Sequence, residues 1–460
     1  MTRRGVLATI LLVLAPVLAA TFAVYRPEIP PIARKDLPAP DPALLRRGAE
    51  LAALGDCATC HTAPRGKAFA GGLAIPTPFG TIHSTNITPD DDTGIGRWSE
   101  IAFRRAMREG IDREGRHLYP AFPYDHFTLV SDDDNRALYA YLMTRTAVQA
   151  PAQTNALPFP LTFRPLLAGW KLLFLRKGPV VSDPLGDAVL NRGAYLVEGI
   201  GHCGACHTPR NLFGAERSDQ AFAGGDAEGW RAFTINAASS SPVPWNEDSL
   251  YAYLRRGWHG LHGVARGPMA PVADNLATVP DADVRAIAAY VAAQIGRPSP
   301  DRERQGDELV ARVADRADAP GARPQSAGGQ TVAAQPGGNE GAAIYAGACA
   351  TCHDAGRPVP YGGLNLALST AVSADTPRNF VNVVLGGVAP AEGKRGPIMP
   401  PFAATLSDDR IVALSNEVRR RFAHKSAWPD LAPEIAAARQ TVTVEGVGSA
   451  AIAPDDSQTK

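Results

Sequence analysis

Thiols, thioethers and unbalanced charge are all scarce in this chain. Its 460 residues include six cysteines and five methionines, one of them Met1. Lysine and arginine number 46, as do aspartate and glutamate, so the formal net charge is zero. That balance argues against nucleic acid or any strongly polarised partner surface. No phosphate loop occurs, nor a dinucleotide-binding fingerprint framed by a strand and a helix. Glycine (44) and proline (40), by contrast, together approach a fifth of the chain, which suits short helices joined by long loops and also linkers. The length alone predicts about three domains.

All six cysteines fall in one pattern: Cys57-Ala58-Thr59-Cys60-His61, Cys203-Gly204-Ala205-Cys206-His207 and Cys349-Ala350-Thr351-Cys352-His353. Cys-x-x-Cys-His is the attachment signature of c-type haem. Two thiols one helical turn apart add to the two vinyl groups, and the next residue offers imidazole to the iron. Three copies predict three covalently bound haem c groups. Cys57, Cys60, Cys203, Cys206, Cys349 and Cys352 are then the attachment residues, and His61, His207 and His353 the proximal iron ligands. No thiol is left for a disulfide. A structural zinc site would want four N/S ligands from paired motifs, and a thioredoxin-like pair a single copy inside a βαβ pattern.

The first cysteines stand at 57, 203 and 349, two equal steps of 146 residues (203 − 57 and 349 − 203). This is a repeat of whole domains. Arg47-Gly48-Ala49-Glu50-Leu51 precedes the first motif as Arg192-Gly193-Ala194-Tyr195-Leu196 precedes the second, with Gly341-Ala342-Ala343-Ile344-Tyr345 as the third member. Phe69-Ala70-Gly71-Gly72 answers Phe222-Ala223-Gly224-Gly225, and Tyr361-Gly362-Gly363 follows them. An amphipathic helix is predicted next in each, over Glu100 to Glu109, Asp248 to Arg256 and Arg378 to Leu385. Each repeat closes with a second helix, capped by Ser131, Asp281 or Ser407.

The predicted fold is therefore mainly α: three tandem cytochrome c domains with haem-wrapping loops at 43–150, 187–298 and 341–424, plus an N-terminal apolar helix. Arg3 and Arg4 precede an uncharged run from Gly5 to Tyr25. At about 20 residues such a run can span a bilayer, so 1–26 is read as a membrane anchor, or else as a signal peptide cut near Val17-Leu18-Ala19. Residues 27–42 read as a proline-rich spacer standing the first domain off the membrane, 299–340 as a flexible linker, and 425–460 as a tail outside any core. Within the interdomain segment 151–186, the apolar stretch Leu157 to Lys177 is broken by Arg164, Pro165 and Lys171 and cannot span a membrane. It is expected to pack across two domains, the alternative being that Trp170, Leu172, Leu173 and Phe174 lie on a membrane interface or a partner subunit.

An iron that only relays electrons needs a second axial ligand, usually Met. Met269 in Gly267-Pro268-Met269-Ala270-Pro271 and Met399 in Gly396-Pro397-Ile398-Met399-Pro400 both lie in stiff loops between the two predicted helices, and are the expected distal ligands. In the first repeat the equivalent position is Phe122, 61 residues after His61, where Met269 is 62 after His207 (122 − 61 and 269 − 207). Phenylalanine cannot ligate. His126 in the same loop is the first candidate, with Met107, His83, His117 or an open position as alternatives.

These motifs, with Asn86-Ile87-Thr88-Pro89, Gly94-Ile95-Gly96-Arg97-Trp98, Tyr119-Pro120 and Leu138 to Leu142, resemble the three-haem cytochrome c subunits of bacterial membrane-bound dehydrogenases of the alcohol and gluconate type. Ala121-Phe122-Pro123-Tyr124-Asp125-His126-Phe127 is more similar to the cytochrome subunits paired with molybdenum hydroxylases such as nicotinate or aldehyde dehydrogenase. The resemblance implies an electron-transfer subunit on the periplasmic face of the cytoplasmic membrane. It would serve a dehydrogenase catalytic subunit, of molybdopterin or flavin/quinone type, and deliver electrons to quinone or a terminal oxidase. The competing expectation, permitted by Phe122, is a haem enzyme or gas sensor with an open site at the first iron.

Overall fold

The computed structural model describes residues 24–33, 39, 41–178, 186–318, 340–354, 362–390, 393–429 and 431–448. It is mainly helical, as expected, and among the described residues its strands pair as two-stranded antiparallel ladders. Contacts divide it into two units. The first runs to Pro184 and also takes in Glu198–His202 and Arg210–Ala215; the second holds the remainder from Leu185. The apolar run expected to form an N-terminal helix lies, through residue 23, outside the described residues. Among the described residues no helix is long and apolar enough to cross a membrane.

The main elements of the first unit are α1 (Pro42–Leu54), the hairpin β1 (Ala74–Thr77) and β2 (Gly80–His83), α2 (Glu100–Glu109), α3 (Asp132–Met143) and α4 (Leu166–Phe174). Local chemistry sets the helix ends. Asp41 caps α1 by accepting from Ala43 N–H, and Pro42 fills a position where its missing N–H costs nothing. Ser99 and Ser131 cap α2 and α3, and three aspartates place negative charge at the positive end of α3. α1 packs on α3, burying Leu51, Leu138 and Leu142. The crossing point is Gly48, where a Cβ would stand 2.1 Å from the Ala137 carbonyl oxygen and 2.5 Å from Tyr141 Cβ. Beside it the Arg47 guanidinium grips the Asp134 carboxylate through two bonds of 2.9 and 2.8 Å.

In the second unit come α5 (Ala188–Ala194), β3 (Gly225–Ala227), β4 (Trp230–Ala232), α6 (Glu247–Arg256), β5 (Trp258–His259), β6 (Gly263–Val264), α7 (Met269–Leu276), α8 (Asp281–Ile295), α9 (Pro300–Asp318), α10 (Glu340–Ile344), α11 (Arg378–Gly386), α12 (Asp408–Val418) and α13 (Leu431–Gly448). The same crossing recurs twice. A Cβ on Gly193 of α5 would lie 2.1 Å from the Ala286 carbonyl oxygen of α8, and one on Gly341 of α10 would lie 2.1 Å from that of Ala413 in α12. Arg192 holds Asp283 at 2.8 and 2.9 Å. At the third crossing the charges are exchanged, with Arg410 Nε 3.4 Å from Glu340.

Several expectations need correction. Residues 27–32 are not a free spacer. They lie against the first unit, where Arg105 donates to the Pro27 carbonyl at 2.7 Å, Ile29 N–H to Arg113 O at 2.9 Å and Ile32 N–H to Arg97 O at 3.0 Å. Extended proline-rich backbone leaves its carbonyls and remaining N–H groups open to such bonds. The supposed linker begins as helix α9, supported by an Arg304–Glu308 pair and by the close approach of Gly306 to Pro244, features that leave no hydrophobic period to read. The tail is not outside a core either. Trp428, Leu431, Ile435 and Ala438 are buried in the cluster around α11 and α12, and Arg378 holds Glu434 at 3.0 and 3.1 Å. Asp281 does not cap α8, whose N-cap is Pro280; its carboxylate instead accepts from the Tyr251 hydroxyl and from Arg285 at 2.8 Å. Ser407 stands at the N-cap of α12, but its side chain caps nothing.

Gly193→Ala is expected to destabilise the second unit by about 1–3 kcal/mol, the usual cost of overpacking. Differential scanning calorimetry should show one transition lowered, whereas Gly169→Ala, in the interior of helix α4 and with a Cβ that meets nothing within 4 Å, should lower none.

Candidate haem sites

Each Cys-x-x-Cys-His motif is a single helical turn, at Cys57–Cys60, Gly204–His207 and Ala350–His353. Wide π-wound turns, Tyr195–Ile200 and Tyr345–Cys349, lead into the second and third. None of the six cysteines is in a disulfide. Burial pushes the Cys57 thiol up to about 12, with Asp56 adding to it, and the Cys349 thiol up to about 11, helped by Cys352. Metal-thiolate and redox-thiol sites need the opposite shift, whereas thiols that become thioethers need none.

The three histidines share one geometry. Nδ1 of His61 lies 2.6 Å from the Thr85 carbonyl oxygen, that of His207 2.7 Å from Phe233 O, and that of His353 2.6 Å from Leu364 O. A carbonyl only accepts, so Nδ1 carries the proton and Nε2 keeps its lone pair. Burial lowers the pKa of all three, which keeps the rings neutral. Neutral imidazole with Nδ1–H on a carbonyl is the form that ligates iron. The donor sets thus fit haem c at each motif.

The repeated glycine motifs serve this geometry. A Cβ on Gly71 would strike the Thr85 carbonyl carbon at 2.4 Å, and one on Gly363 would strike His353 Nδ1 at 2.8 Å. Gly71 N–H and Gly224 N–H also bond the carbonyls of His61 and His207, each at 2.7 Å. Thr62 and Thr208, directly after the histidines, accept from Phe69 N–H at 3.2 Å and Phe222 N–H at 3.1 Å. In the second unit Asn379 of α11 clamps strand β4, accepting from Arg231 N–H and donating to Arg231 O, both at 2.8 Å, two residues before Phe233. Thr85, Phe233 and Leu364 act through backbone carbonyls, which no side-chain motif announces. The glycine repeat was their only signal.

The expected distal residues are placed unequally. Met269 is the half-buried first residue of α7, after Pro268. Met399 is held by a two-way backbone pair with Val388, both bonds 2.8 Å, with its side chain on the core. Phe122 packs its ring on Phe127 and Tyr124, at 5.3 and 6.4 Å between centroids. His126 is buried on the turn Tyr124–Phe127, with Nδ1 2.7 Å from the Glu198 carbonyl oxygen. Met107 is buried in α2. His83 lies on β2, whose continuation supplies the Thr85 carbonyl to His61. His117 has both nitrogens engaged, Nε2 with Val24 O at 2.9 Å and Nδ1 with Lys171 Nζ at 3.1 Å.

Known proteins share this sequence over most of its length. The family description "Cytochrome c" matches residues 45–146, and "Cytochrome C oxidase, cbb3-type, subunit III" matches residues 336–416. A nicotinate dehydrogenase subunit of Pseudomonas putida is 46% identical over 425 residues, covering 91% of this chain; the chain spans 34% of that protein's length. The fructose dehydrogenase cytochrome subunit of Gluconobacter japonicus is 36% identical over 83% of this chain and 80% of its own. The cytochrome c subunit of alcohol dehydrogenase (quinone) from Gluconobacter oxydans is 35% identical over 87% and 83%. With motif, proximal geometry and full-length relatives in accord, the chain belongs to the family of cytochrome c subunits of dehydrogenases, proteins of electron transfer.

Proposed function

We propose that this chain carries three haem c groups and relays electrons from a separate dehydrogenase catalytic subunit to quinone or another respiratory acceptor at the periplasmic face of the cytoplasmic membrane. The observation that carries the reading is the threefold recurrence of one assembly: a Cys-x-x-Cys-His turn, a proximal Nδ1–H on a carbonyl, and a glycine-mediated helix crossing. Haem c supplies one-electron chemistry at its iron. The protein's part is to fix each imidazole, exclude water and choose the distal ligand. Met269 and Met399 fill that role at the second and third sites. At the first, His126 takes it, since its Nδ1 is held by a carbonyl as in the proximal histidines. Imidazole in place of thioether lowers a haem's potential, so the first site would sit below the other two and feed them. The likeness to the nicotinate dehydrogenase subunit, together with the wording of Ala121 to Phe127, favours a molybdenum hydroxylase as the partner.

Two measurements test this. Pyridine haemochrome analysis with the intact mass should give three haems per chain, and Cys203→Ala/Cys206→Ala should remove one. Low-temperature EPR of the wild type should show two His/Met irons and one low-spin His/His iron, and His126→Ala should convert only the last to high spin. An iron already high-spin in the wild type, and quick to bind carbon monoxide, would instead support the open-site reading that Phe122 allows.

A further inference from the structure

Helix α4 is amphipathic the wrong way round. Its lysine points in and its leucines point out. Lys171 Nζ donates to the Gly110 carbonyl at 2.5 Å and to His117 Nδ1 at 3.1 Å, and lies 4.8 Å from the centre of the Tyr124 ring. Burial brings its pKa down to about 7. Trp170 and Phe174 share this inner side, packing on Tyr124 and Phe213. On the opposite face, at positions 166, 169, 172 and 173, Leu172 is 82% and Leu173 72% exposed, Leu166 is also exposed, and a Cβ at Gly169 would meet nothing within 4 Å. Phe159, 87% exposed, and Phe163 extend this surface before the helix. Leu212, at 94%, and Phe213 extend it beside the helix, in a loop that Trp170 fastens through Nε1–H to Phe213 O at 2.9 Å. A buried lysine is costly to place, and a contiguous apolar surface is rare on a free face.

We infer that this face lies in the headgroup region of an anionic phospholipid bilayer, α4 resting parallel to the surface. Its nine residues make about 14 Å of helix, far short of the ~30 Å hydrocarbon core, so it cannot span. Between Leu157 and Gly178 there is no acidic residue, and Arg164, Arg176 and Lys177 flank the apolar face. Lys177 is paired with Glu109 at 2.8 Å and Arg164 donates to the His117 carbonyl at 3.2 Å, and the flank as a whole stays basic, the composition that anionic headgroups favour. The chain's own geography points the same way. His117, which accepts from Lys171 of α4, donates through Nε2–H to the carbonyl of Val24. Val24 stands one residue before the end of the uncharged run Gly5 to Tyr25. One imidazole therefore ties the exit of the apolar run and the inner side of α4 to the same point. A membrane segment ending at residue 24 would set α4 down at the same surface. The inference rests on the membrane-face placement proposed above, but not on electron transfer.

The test uses full-length protein with its haems, bound to vesicles of phosphatidylcholine and phosphatidylglycerol in which a fraction of acyl chains carries a diazirine. After irradiation the adducts are mapped by peptide mass spectrometry, and the reduced haem spectrum is recorded on the same sample. Adducts are expected on Leu166, Leu172, Leu173, Leu212 and Phe213. In Leu172→Ser/Leu173→Ser, labelling of 157–177 should fall about tenfold with the haem spectrum unchanged, as losing two buried leucines from an interface implies. Absence of adducts on 157–177, or labelling that ignores the double variant, overturns the inference. So does a wild-type dimer, or a complex with the catalytic subunit, that the double variant dissolves, since the face would then belong to a protein. A normal spectrum without adducts would leave the relay standing and remove only the membrane contact.

Discussion

Everything in this protein depends on two helices touching backbone to backbone. At Gly48, Gly193 and Gly341 a single methyl group would be driven to within about 2 Å of a carbonyl oxygen of the facing helix. That contact sets the crossing of the two helices that bracket each Cys-x-x-Cys-His turn in sequence. The neighbouring ion pair matters less than the glycine. It is Arg47–Asp134 and Arg192–Asp283 at two crossings and is reversed, Glu340–Arg410, at the third, where a partly exposed pair contributes little whichever way it runs. Steric contact tolerates no such exchange.

The haem sites repeat this economy. Each proximal imidazole is oriented by a backbone carbonyl, and carbonyls are available from any sequence, so Thr85, Phe233 and Leu364 share no side-chain chemistry. What recurs is the glycine that lets the chain pass close enough, as Gly71 does beside Thr85. Met269 opens α7 and Met399 is held in a backbone pair with Val388, while the first repeat has Phe122 and a buried His126.

In α4 charge is placed against expectation. Lys171, with Arg164 and Pro165, interrupts an apolar stretch that therefore cannot span a membrane. The folded chain turns Lys171 inward, onto Gly110 and His117, and leaves the leucines outside. Helix α9 is held by ion pairs and one glycine contact, and Trp428 with Leu431 and Ile435 joins the last core from a stretch too alanine-rich to show a strong period.

The sequence by itself displayed the three Cys-x-x-Cys-His motifs, the period of 146 and the mainly helical class, because covalent haem attachment demands fixed residues at fixed spacing, and caps and helical stripes are local. It also located the glycine pairs, though not their purpose. Only the tertiary structure decided that His117 is spent on Val24 and Lys171, that residues 27–32 and 428–438 pack onto folded units, and that α4 presents leucine outward. These are questions of which distant backbone or side chain lies across a few ångströms of space. Periodicity and motif are silent on them, since burial is settled by the whole fold and not by the neighbours in sequence.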